Sequence, residues 1–433
     1  MSNTTAASTE EMSYLSSKNI LLGLQHLFAM FGSIVLTSRM AGLNTPVCMF
    51  TAGLGTLIFH LVTKGKVPIF VGASTAYVAT IASVVFVTDA SGNAVRHIEN
   101  IPYVQGGVMA AGLVYCILAC VAYFVGHERI KRWFPPIVVG PVIMVIGTKL
   151  APKAIGMAQQ NWLIAIITLA VVIYFNVYGK GLLKIIPILI GIASGYVCSI
   201  IYDMVAHPAT PLVDFTPLTE ASWIQPFWDF SGQFFSFPKF DMSIIFLIAP
   251  IAFVTFMEHI GDITTNGAVV GKDFLSDPGI HRTLLGDGLS TMASGFFGGN
   301  ANTTFSQNTG LLAVTGAYNP KILRTAAVMA ICLSLFGKLG GLLQSIPNAV
   351  IGGVSILLFG SIASIGVRTV AEAKIDFAQS RNIIIVAVIL VIGLGLAADG
   401  VMVGTVKVSG LFLAVVAGVL CNSLLPKVPQ KAD

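Results

Sequence analysis

Long apolar stretches separated by short polar connections recur along the whole chain. The stretches 21–37 and 382–398 are almost wholly apolar, and about 17 to 25 such residues are enough for a helix to cross the hydrocarbon core of a bilayer. Strand-like alternation is absent, which disfavours a membrane barrel. The pattern predicts an all-α polytopic membrane protein with about fourteen spans, at 19–38, 46–63, 68–87, 103–126, 134–150, 162–178, 182–204, 243–266, 280–298, 301–315, 320–342, 347–370, 382–398 and 404–425.

Two of these spans are short and have an unusual polarity. The spans at 68–87 and 301–315 begin with Pro, Gly, Ser, Thr or Asn and become apolar only in their second half. The second lies in "NANTTFSQNTGLLAVTG", which is too polar to face lipid along its whole length. Such segments are typical of discontinuous helices that form substrate sites in transporters. We therefore expect the third and tenth spans to be broken helices.

The two halves of the chain resemble each other. "FPPIVVGPVIMVI", from Phe134, matches "IPNAVIGGVSILLF", from Ile346, in the spacing of Pro, Val and Gly, although chance similarity between such segments is the alternative. Repeats with an odd number of spans must be inverted, so seven plus seven spans predict an inverted repeat. The predicted division is an N-terminal tail at 1–18, repeats at 19–204 and 243–425, an extracytoplasmic linker at 205–242 and a C-terminal tail at 426–433.

Composition and charge agree with a membrane protein. Of the 433 residues 55% are hydrophobic and 10% charged, and the mean hydropathy is +0.86, whereas soluble domains contain about 25% charged residues. The basic residues lie in alternate connections, which predicts that both termini are cytoplasmic. The N-terminal stretch lacks a basic region before its apolar run, so we expect a retained tail and not a cleaved signal. The scattered net charge of +5 does not favour a nucleic acid partner.

Ionisable residues inside spans are few, and they are functional candidates because burying a charge in a membrane is costly. Glu258 and Asp262 are four residues apart and therefore share one helix face, while His259 lies between them. Asp287 and His26 are in other spans. No further ligand recurs at metal-site spacing, and no nucleophile elbow, HExxH or Walker motif is present. The sequence thus predicts neither an enzyme nor a metal or cofactor site.

The broken helices and the polar side chains around them predict a solute site. A helix that begins inside the membrane presents free backbone N–H groups. Gln307 and Asn308 add side-chain amides, each with an acceptor and two donors. Together with Glu258 these groups match a planar solute with alternating N–H and C=O groups, such as a nucleobase.

The tenth span carries a family signature. "ANTTFSQNTGLLAVTG" resembles the signature of the nucleobase–ascorbate transporter, or nucleobase:cation symporter-2, family, in which Gln or Glu is followed by Asn-x-Gly and then Thr. These are Gln307, Asn308, Gly310 and Thr315 here. "GLQHLFAMFGS", "KGKVPIFVGAS" and "DPGIHRTLLGDGLSTMASGFFGG" are also similar to the uracil and xanthine permeases of that family.

The resemblance implies two inverted seven-span repeats with short strands in the broken third and tenth spans. It implies a core domain of spans one to four and eight to eleven, and a gate domain of spans five to seven and twelve to fourteen. It also implies proton-coupled nucleobase uptake across the inner (plasma) membrane by a homodimer embedded in the lipid bilayer. It implies no cofactor, and a proton is the expected coupling ion.

The resemblance also assigns roles to individual residues. It implies substrate contacts at Glu258, Gln307, Ser306, Phe305, Ser74, Thr75, Tyr77 and Asn308. The resemblance further implies that Asp262, Asp287 and His26 take part in proton coupling or organise the site. Because a buried charge is costly, we expect Glu258, alone or with Asp262, to bind a proton together with the substrate.

Four positions depart from the uracil permeases that the chain resembles, which carry Glu, His, Asn and Phe where this chain has Gln307, Asp262, Asp287 and Thr75. The first three changes move toward the xanthine and uric acid permeases, and Thr75 enlarges the cavity. We therefore expect a purine such as xanthine, urate or guanine, with uracil as the alternative substrate. A passive facilitator or channel for nucleobases is the alternative class.

Overall fold

The computed structural model describes residue 14 and residues 16–88, 94–126, 135–225, 236–396, 400–403 and 406–426. Most of the two predicted tails and part of the linker at 205–242 lie outside the described residues. The first half contains α1 (Ser17–Ala41), α2 (Thr45–Val62), β1 (Val71–Ala73), a 3₁₀ turn (Thr75–Tyr77), α3 (Val78–Val85), β2 (Phe86–Thr88), β3 (Ala94–Arg96), a second 3₁₀ turn (Ile98–Asn100), α4 (Ile101–Val125), α5 (Pro136–Lys149), α6 (Ala151–Ala158), α7 (Trp162–Tyr178), α8 (Leu182–Ile185) and α9 (Pro187–Ala206).

The second half repeats this pattern of long helices around one broken segment. It contains α10 (Thr216–Glu220), α11 (Met242–Ile248), a 3₁₀ turn (Ala249–Ile251), α12 (Ala252–Val270), a π-helical turn (Leu275–Gly279), α13 (Ile280–Phe297), β4 (Asn302–Thr304), α14 (Ser306–Thr315), α15 (Pro320–Ser334), α16 (Gly337–Gln344), α17 (Asn348–Glu372), α18 (Ser380–Gly395), β5 (Val401–Val403), β6 (Val406–Val408) and α19 (Gly410–Leu424).

The helices satisfy the length requirement of a multi-pass membrane protein. Among the described residues, seven helical stretches have at least 18 residues and enough apolar character to cross a bilayer, and shorter apolar helices follow at 75–85, 162–178, 380–395 and 410–424. Every predicted span overlaps at least one helix of the fold, although the spans 280–298 and 320–342 fall on α13 and on α15 and α16, which are not among these apolar helices. The fold class predicted from the pattern is confirmed.

Several predicted boundaries were wrong. The eleventh span, predicted at 320–342, is divided because α15 ends at Ser334 and α16 begins at Gly337. At this break the backbone of residues 223–225 provides the hydrogen-bond partners that a continuous helix would provide. The Trp223 carbonyl accepts from Gly337 N at 3.1 Å, and Gln225 N donates to the Leu335 carbonyl at 2.9 Å. The seventh and fourteenth spans begin later than predicted, at Pro187 and Gly410.

The long helices form two packing groups. In the first, α1, α2, α4, α13 and α15 pack on one another, with α13 against both α2 and α4. In the second, α5, α6, α7 and α9 pack against α17, while α18 and α19 pack on each other and on α5. Helix α12 contacts α4 of the first group, α5 and α19 of the second, and α14 and β4 of the broken tenth span. It therefore lies where the two groups meet.

The two broken segments meet through their strands. β1 and β4 pair antiparallel, with Val71 opposite Thr304, Gly72 opposite Thr303 and Ala73 opposite Asn302. Each strand is followed directly by a helical segment, the 3₁₀ turn and α3 in one case and α14 in the other. The β-branched residues of "KVPIFVGAS" and "NANTTF" favour this extended conformation. The pairing brings both helix N-termini to one place.

Candidate functional site

One face of α12 is directed at the crossing of the broken segments. Glu258, Asp262 and Asn266 follow each other at intervals of four residues, one helical turn apart. The amide of Asn266 donates to the Pro68 carbonyl at 2.9 Å and to the Thr309 hydroxyl at 3.0 Å, so that it joins the two broken segments. The predicted common face of Glu258 and Asp262 therefore borders the candidate site.

Asp262 is bound on both oxygens by the tenth span. Its Oδ2 accepts from the Thr304 hydroxyl at 2.8 Å, and its Oδ1 accepts from the Ser306 hydroxyl at 2.7 Å. By contrast, Oε2 of Glu258 is buried and has no hydrogen-bond partner among the described residues. Of the two carboxylates, Glu258 is the one with an oxygen left for a solute.

Polar side chains satisfy the irregular backbone at the crossing. The amide of Asn300 donates to the Ser74 carbonyl at 3.0 Å, and the Thr291 hydroxyl donates to the Asn302 carbonyl at 2.9 Å. The amide of Asn302 donates to the Thr51 carbonyl at 3.1 Å. Non-helical backbone at membrane depth is tolerated only where protein groups or a cavity satisfy it. These contacts explain the polar composition of the stretch from Asn300.

The first turn of α14 is open on one side. Ser306 and Gln307 are exposed, and no side chain of the described residues caps the N-terminus of α14. The Gln307 amide has one long contact, 3.5 Å from Nε2 to the Ser33 hydroxyl. A Cβ atom at Gly310, one turn later, would meet no heavy atom within 4 Å among the described residues. This turn therefore presents donors and an adaptable amide beside free space.

The equivalent turn of the third span is arranged differently. Ser74 is buried, and its hydroxyl caps the 3₁₀ turn by accepting from Ala76 N at 3.3 Å. Thr75 is half-buried, and Tyr77 is fully buried with a relative exposure of 0%. One of the backbone donors expected to hold a substrate carbonyl is thus already engaged by Ser74.

Phe305 packs behind the strand pair. Its ring centroid lies 6.4 Å from that of Phe70, and a Cβ atom at Gly72 would lie 3.0 Å from the Phe305 ring. Gly72 therefore gives the ring the room it occupies directly before α14. This contact positions Phe305 at the edge of the candidate site.

Asn308 and His26 form a buried pair away from the exposed face of α14. The Asn308 amide donates to Nδ1 of His26 and to the His26 carbonyl, both at 3.1 Å. Since Nδ1 accepts, His26 is neutral with its proton on Nε2. The pair joins α1 to α14, so its role in the structure is to organise the site.

His259 and Asp287 form a second buried pair, between α12 and α13. Nδ1 of His259 lies 2.7 Å from Oδ2 of Asp287, and Nε2 lies 2.9 Å from the Thr283 hydroxyl. Both side chains are completely buried. The sequence placed His259 between Glu258 and Asp262 but did not identify this partner. It also missed Thr283, Thr304 and Ser33, because hydroxyl residues are frequent throughout the chain.

Together these groups form a half-open polar site inside the membrane. An acceptor at Glu258, the amide of Gln307 and the uncapped N–H groups of α14 can bind a flat solute that carries both donors and acceptors. The two buried pairs and Asp262 fix the helices that carry these groups. Thr75 and Phe305 lie next to the paired strands β1 and β4, the first a small and the second an aromatic residue.

The sequence is similar to proteins named uracil permease over nearly its whole length. The profile of a family described as "Permease family" matches residues 17–402. The uracil permease of Bacillus caldolyticus is 41% identical over 425 residues, which cover 96% of this chain and 93% of that protein. The uracil permease of Bacillus subtilis (strain 168) is 38% identical over 431 residues, which cover 95% and 93% respectively.

A solved structure has the same fold. The transmembrane domain of the cyanobacterial bicarbonate transporter BicA superposes with a TM-score of 0.61 at 13% identity, covering 94% of this chain and 97% of that domain. At this identity the likeness concerns the fold alone, which has two repeats and core and gate domains. With the family profile and the relatives, the chain belongs to the nucleobase:cation symporter-2 family of permeases.

Proposed function

We propose that this chain is a proton-coupled nucleobase permease and that uracil is its main substrate. The observation that carries the proposal is a Glu258 carboxylate oxygen without a partner in the described part of the chain, one turn of α12 away from Asp262, which binds Ser306 in the uncapped first turn of α14. Uracil presents two N–H donors and two carbonyl acceptors on one ring. Glu258 can accept from an N–H group, while Gln307 and the backbone of α14 donate to a carbonyl.

Uracil is preferred to a purine because relatives at 41% and 38% identity are named uracil permeases. The purine expectation from the sequence rested on four positions, and two of them are engaged in the structure, since Asp287 is buried against His259 and Asp262 is bound by the tenth span. Both oxygens of Asp262 accept hydroxyl groups of the tenth span, so this residue has no role in base discrimination by direct contact. The purine preference finds no support among these relatives.

A purine remains the second candidate because of Gln307 and Thr75. The Gln307 amide is exposed and can both donate and accept, and the small Thr75 side chain leaves room for a second ring. Substitutions at these two positions can therefore distinguish uracil from a purine as the main substrate.

Variants Gln307→Glu and Thr75→Phe introduce the residues of the uracil permeases that this chain resembles. If the site of the parent protein favours purines, these variants should raise the affinity for uracil.

Uptake measurements test the proposal directly. Cells without their own nucleobase permeases should accumulate labelled uracil against its gradient when they express the chain, and a protonophore should abolish the accumulation. Labelled xanthine, guanine and urate serve as competitors. Accumulation that ignores the protonophore would exclude proton coupling, and uptake that only equilibrates would indicate a facilitator.

Glu258→Gln tests the site. It removes the carboxylate but keeps the shape, and we expect uracil binding to fall by roughly tenfold or more because a charged acceptor is worth about 1.5–3 kcal/mol. Glu372→Gln is the matched control, since that carboxylate is 68% exposed in an i,i+4 pair with Arg368 at the surface.

Three statements from the sequence remain predictions beside this proposal. They are that the protein forms a homodimer, that it lies in the inner membrane and that both termini are cytoplasmic.

A further inference from the structure

The candidate site is open toward the ends of α12 and α14. Gly261 and Thr265 of α12 are exposed and continue the face of Glu258. Gln307 and Gly310 of α14 are exposed too, and a Cβ atom at either glycine would meet no heavy atom within 4 Å among the described residues. Both helices end at basic connections, which the charge pattern assigns to the cytoplasm. The open side is therefore the predicted cytoplasmic side.

The opposite side is enclosed by both packing groups at the end of α1. This helix begins at the predicted cytoplasmic tail, so its last turns lie toward the outside. Every residue from Met30 to Ser38 is buried, which means that protein surrounds this part of the helix. It packs on α2 and α15 of the first group and on α9 of the second. A Cβ atom at Gly32 would lie only 2.5 Å from the Ile188 side chain of α9.

The last carbonyl groups of α1 find their partners outside the helix, as the end of any helix requires. Gly42 ends the helix with a φ of +76°, and its N–H group donates back to the Arg39 carbonyl at 3.2 Å. The Met40 carbonyl accepts instead from Nζ of Lys153. A cation is favourable there because the end of a helix carries a partial negative charge. Since Lys153 belongs to α6, this hydrogen bond joins the first packing group to the second.

Further contacts surround the same hydrogen bond. The ammonium group of Lys153 lies 4.6 Å from the ring centroid of Phe86, which directly follows α3. A Cβ atom at Gly42 would lie 2.7 Å from that ring, so the ring packs on the end of α1. From α17 of the second group, the Ser355 hydroxyl donates to Sδ of Met40 at 3.5 Å. Two elements of the second group thus contact the same residue of α1.

Arg39 binds the stretch of chain that connects α16 to α17. It donates to the Leu343 carbonyl at 3.2 Å and to the Ile346 carbonyl at 2.9 Å. Helix α16 packs on α2 and α15, whereas α17 belongs to the second group, so the chain passes from one group to the other here. A short connection of this kind can act as a hinge while the groups move. The contact of Lys153 joins elements that are distant in the chain, so it must break when the groups separate.

We propose that Lys153 is a latch between the two packing groups: its hydrogen bond to the Met40 carbonyl keeps the outer side of the site closed, and the site opens to the outside only after this bond breaks. The bond is reversible because water that enters between the groups can bind both the ammonium group and the carbonyl. The latch therefore favours one state without excluding the other. It rests on the proposed transport only in requiring that the site open to each side in turn.

Lys149 provides a matched control one turn away on α5. Its ammonium group donates to the Gly393 and Leu396 carbonyls at 3.1 and 3.0 Å, at the end of α18. The chemistry is the same, a lysine at the end of a helix, but α5 and α18 both belong to the second group. Lys149→Met should therefore leave the balance between the two states unchanged, whereas Lys153→Met should shift it toward the outward-open state.

Cysteine labelling in oriented membrane vesicles measures this balance, in a background without the six native cysteines. Ser355→Cys is the outer reporter, because Ser355 is 0% exposed and faces Met40 across the two groups. Gly310→Cys is the inner reporter. With Lys153→Met, labelling of the outer reporter by an impermeant maleimide from outside should rise at least about tenfold, since a hydrogen bond to a charged group is lost. Labelling of the inner reporter should fall, and Lys153→Arg, which keeps a donor, should resemble the parent protein.

Unchanged labelling of the outer reporter in Lys153→Met would overturn the latch. A rise at both reporters would overturn it as well, because it would indicate a general loosening of the fold. If Lys153→Met does not fold, Phe86→Leu removes the ring contact from the first group, and it should raise outer labelling in the same direction; no change there also refutes the latch. Labelling needs no substrate, so a failure of uracil uptake would refute the proposed function while the latch is judged by labelling alone.

Discussion

The Ser306 hydroxyl donates a hydrogen bond to Oδ1 of Asp262 at 2.7 Å, and this contact ties α12 to the first turn of the broken tenth span. Thr304 binds the other oxygen of the same carboxylate from the end of β4. Asp262 therefore holds the strand and the half-helix in one orientation. The neighbouring Glu258 keeps an oxygen that has no partner within the described ranges, so the two carboxylates of one face differ in role.

Asp262→Ala should destabilise the protein because it leaves the hydroxyls of Thr304 and Ser306 without their acceptor. We expect a loss of about 1–3 kcal/mol and a lower melting temperature in detergent. Asp262→Asn keeps one acceptor and should lose less. Asp376→Ala, at an exposed residue in the connection before α18, is the control. Equal melting temperatures for all three variants would contradict the bracing role.

Asn308→Asp should disrupt the contact between α1 and α14. The amide donates to two acceptors of His26, and a carboxylate in its place would face both of them with no N–H group. We expect reduced folded yield and strongly reduced transport, measured by size-exclusion chromatography and uptake. Asn348→Asp, exposed in the first turn of α17, should be tolerated because acidic residues are favourable there. A fully active Asn308→Asp variant would refute this role of the pair.

Gly72→Ala should displace the Phe305 ring. The added methyl group would lie 3.0 Å from that ring, tighter than an ordinary contact, and β1 leaves little room for adjustment because it pairs with β4. We expect weaker uracil binding in isothermal titration calorimetry, with a smaller effect on folding. Gly156→Ala is the matched control, since its Cβ atom would meet nothing within 4 Å in the described part of the chain. Equal uracil affinities for both variants would show that the position of the Phe305 ring does not affect substrate binding.

A cysteine at Gly310 should be accessible to water-soluble maleimides. The position is exposed and its surroundings are open, and if the open space is the transport path, uracil should slow the labelling. The experiment needs a background in which the six native cysteines are replaced. Leu312→Cys, at a position with 0% exposure, should remain unlabelled. Labelling at Gly310 only by membrane-soluble reagents would show that this face meets lipid instead.

Much of the architecture was predictable from local sequence. Apolar runs located the spans because a bilayer requires about 17 to 25 apolar residues of each continuous helix. The polar beginnings of the third and tenth spans marked the breaks at Val71–Ala73 and Asn302–Thr304. The interval of four residues was sufficient to put Glu258 and Asp262 on one face of a helix.

The division of the eleventh span could not be predicted from the same pattern. The residues from 320 to 342 are apolar enough for one helix. However, the backbone of residues 223–225 lies beside the break between α15 and α16 and forms hydrogen bonds with the backbone of Leu335 and Gly337. A Cβ atom at Gly337 would lie 2.3 Å from the Ser222 carbonyl oxygen. The break depends on a segment about a hundred residues away, and periodicity carries no information about such a partner.

The sequence by itself determined the class, the spans, the broken helices and the face that carries Glu258, because hydrophobicity and helical spacing are local properties. Tertiary structure decided which polar side chains form hydrogen bonds with each other. It paired Asp262 with Ser306, His26 with Asn308 and His259 with Asp287, and left an oxygen of Glu258 without a partner among the residues that the structure describes. Inside a membrane a polar group must find its partner within the protein, and those partners come from other helices far away in the chain.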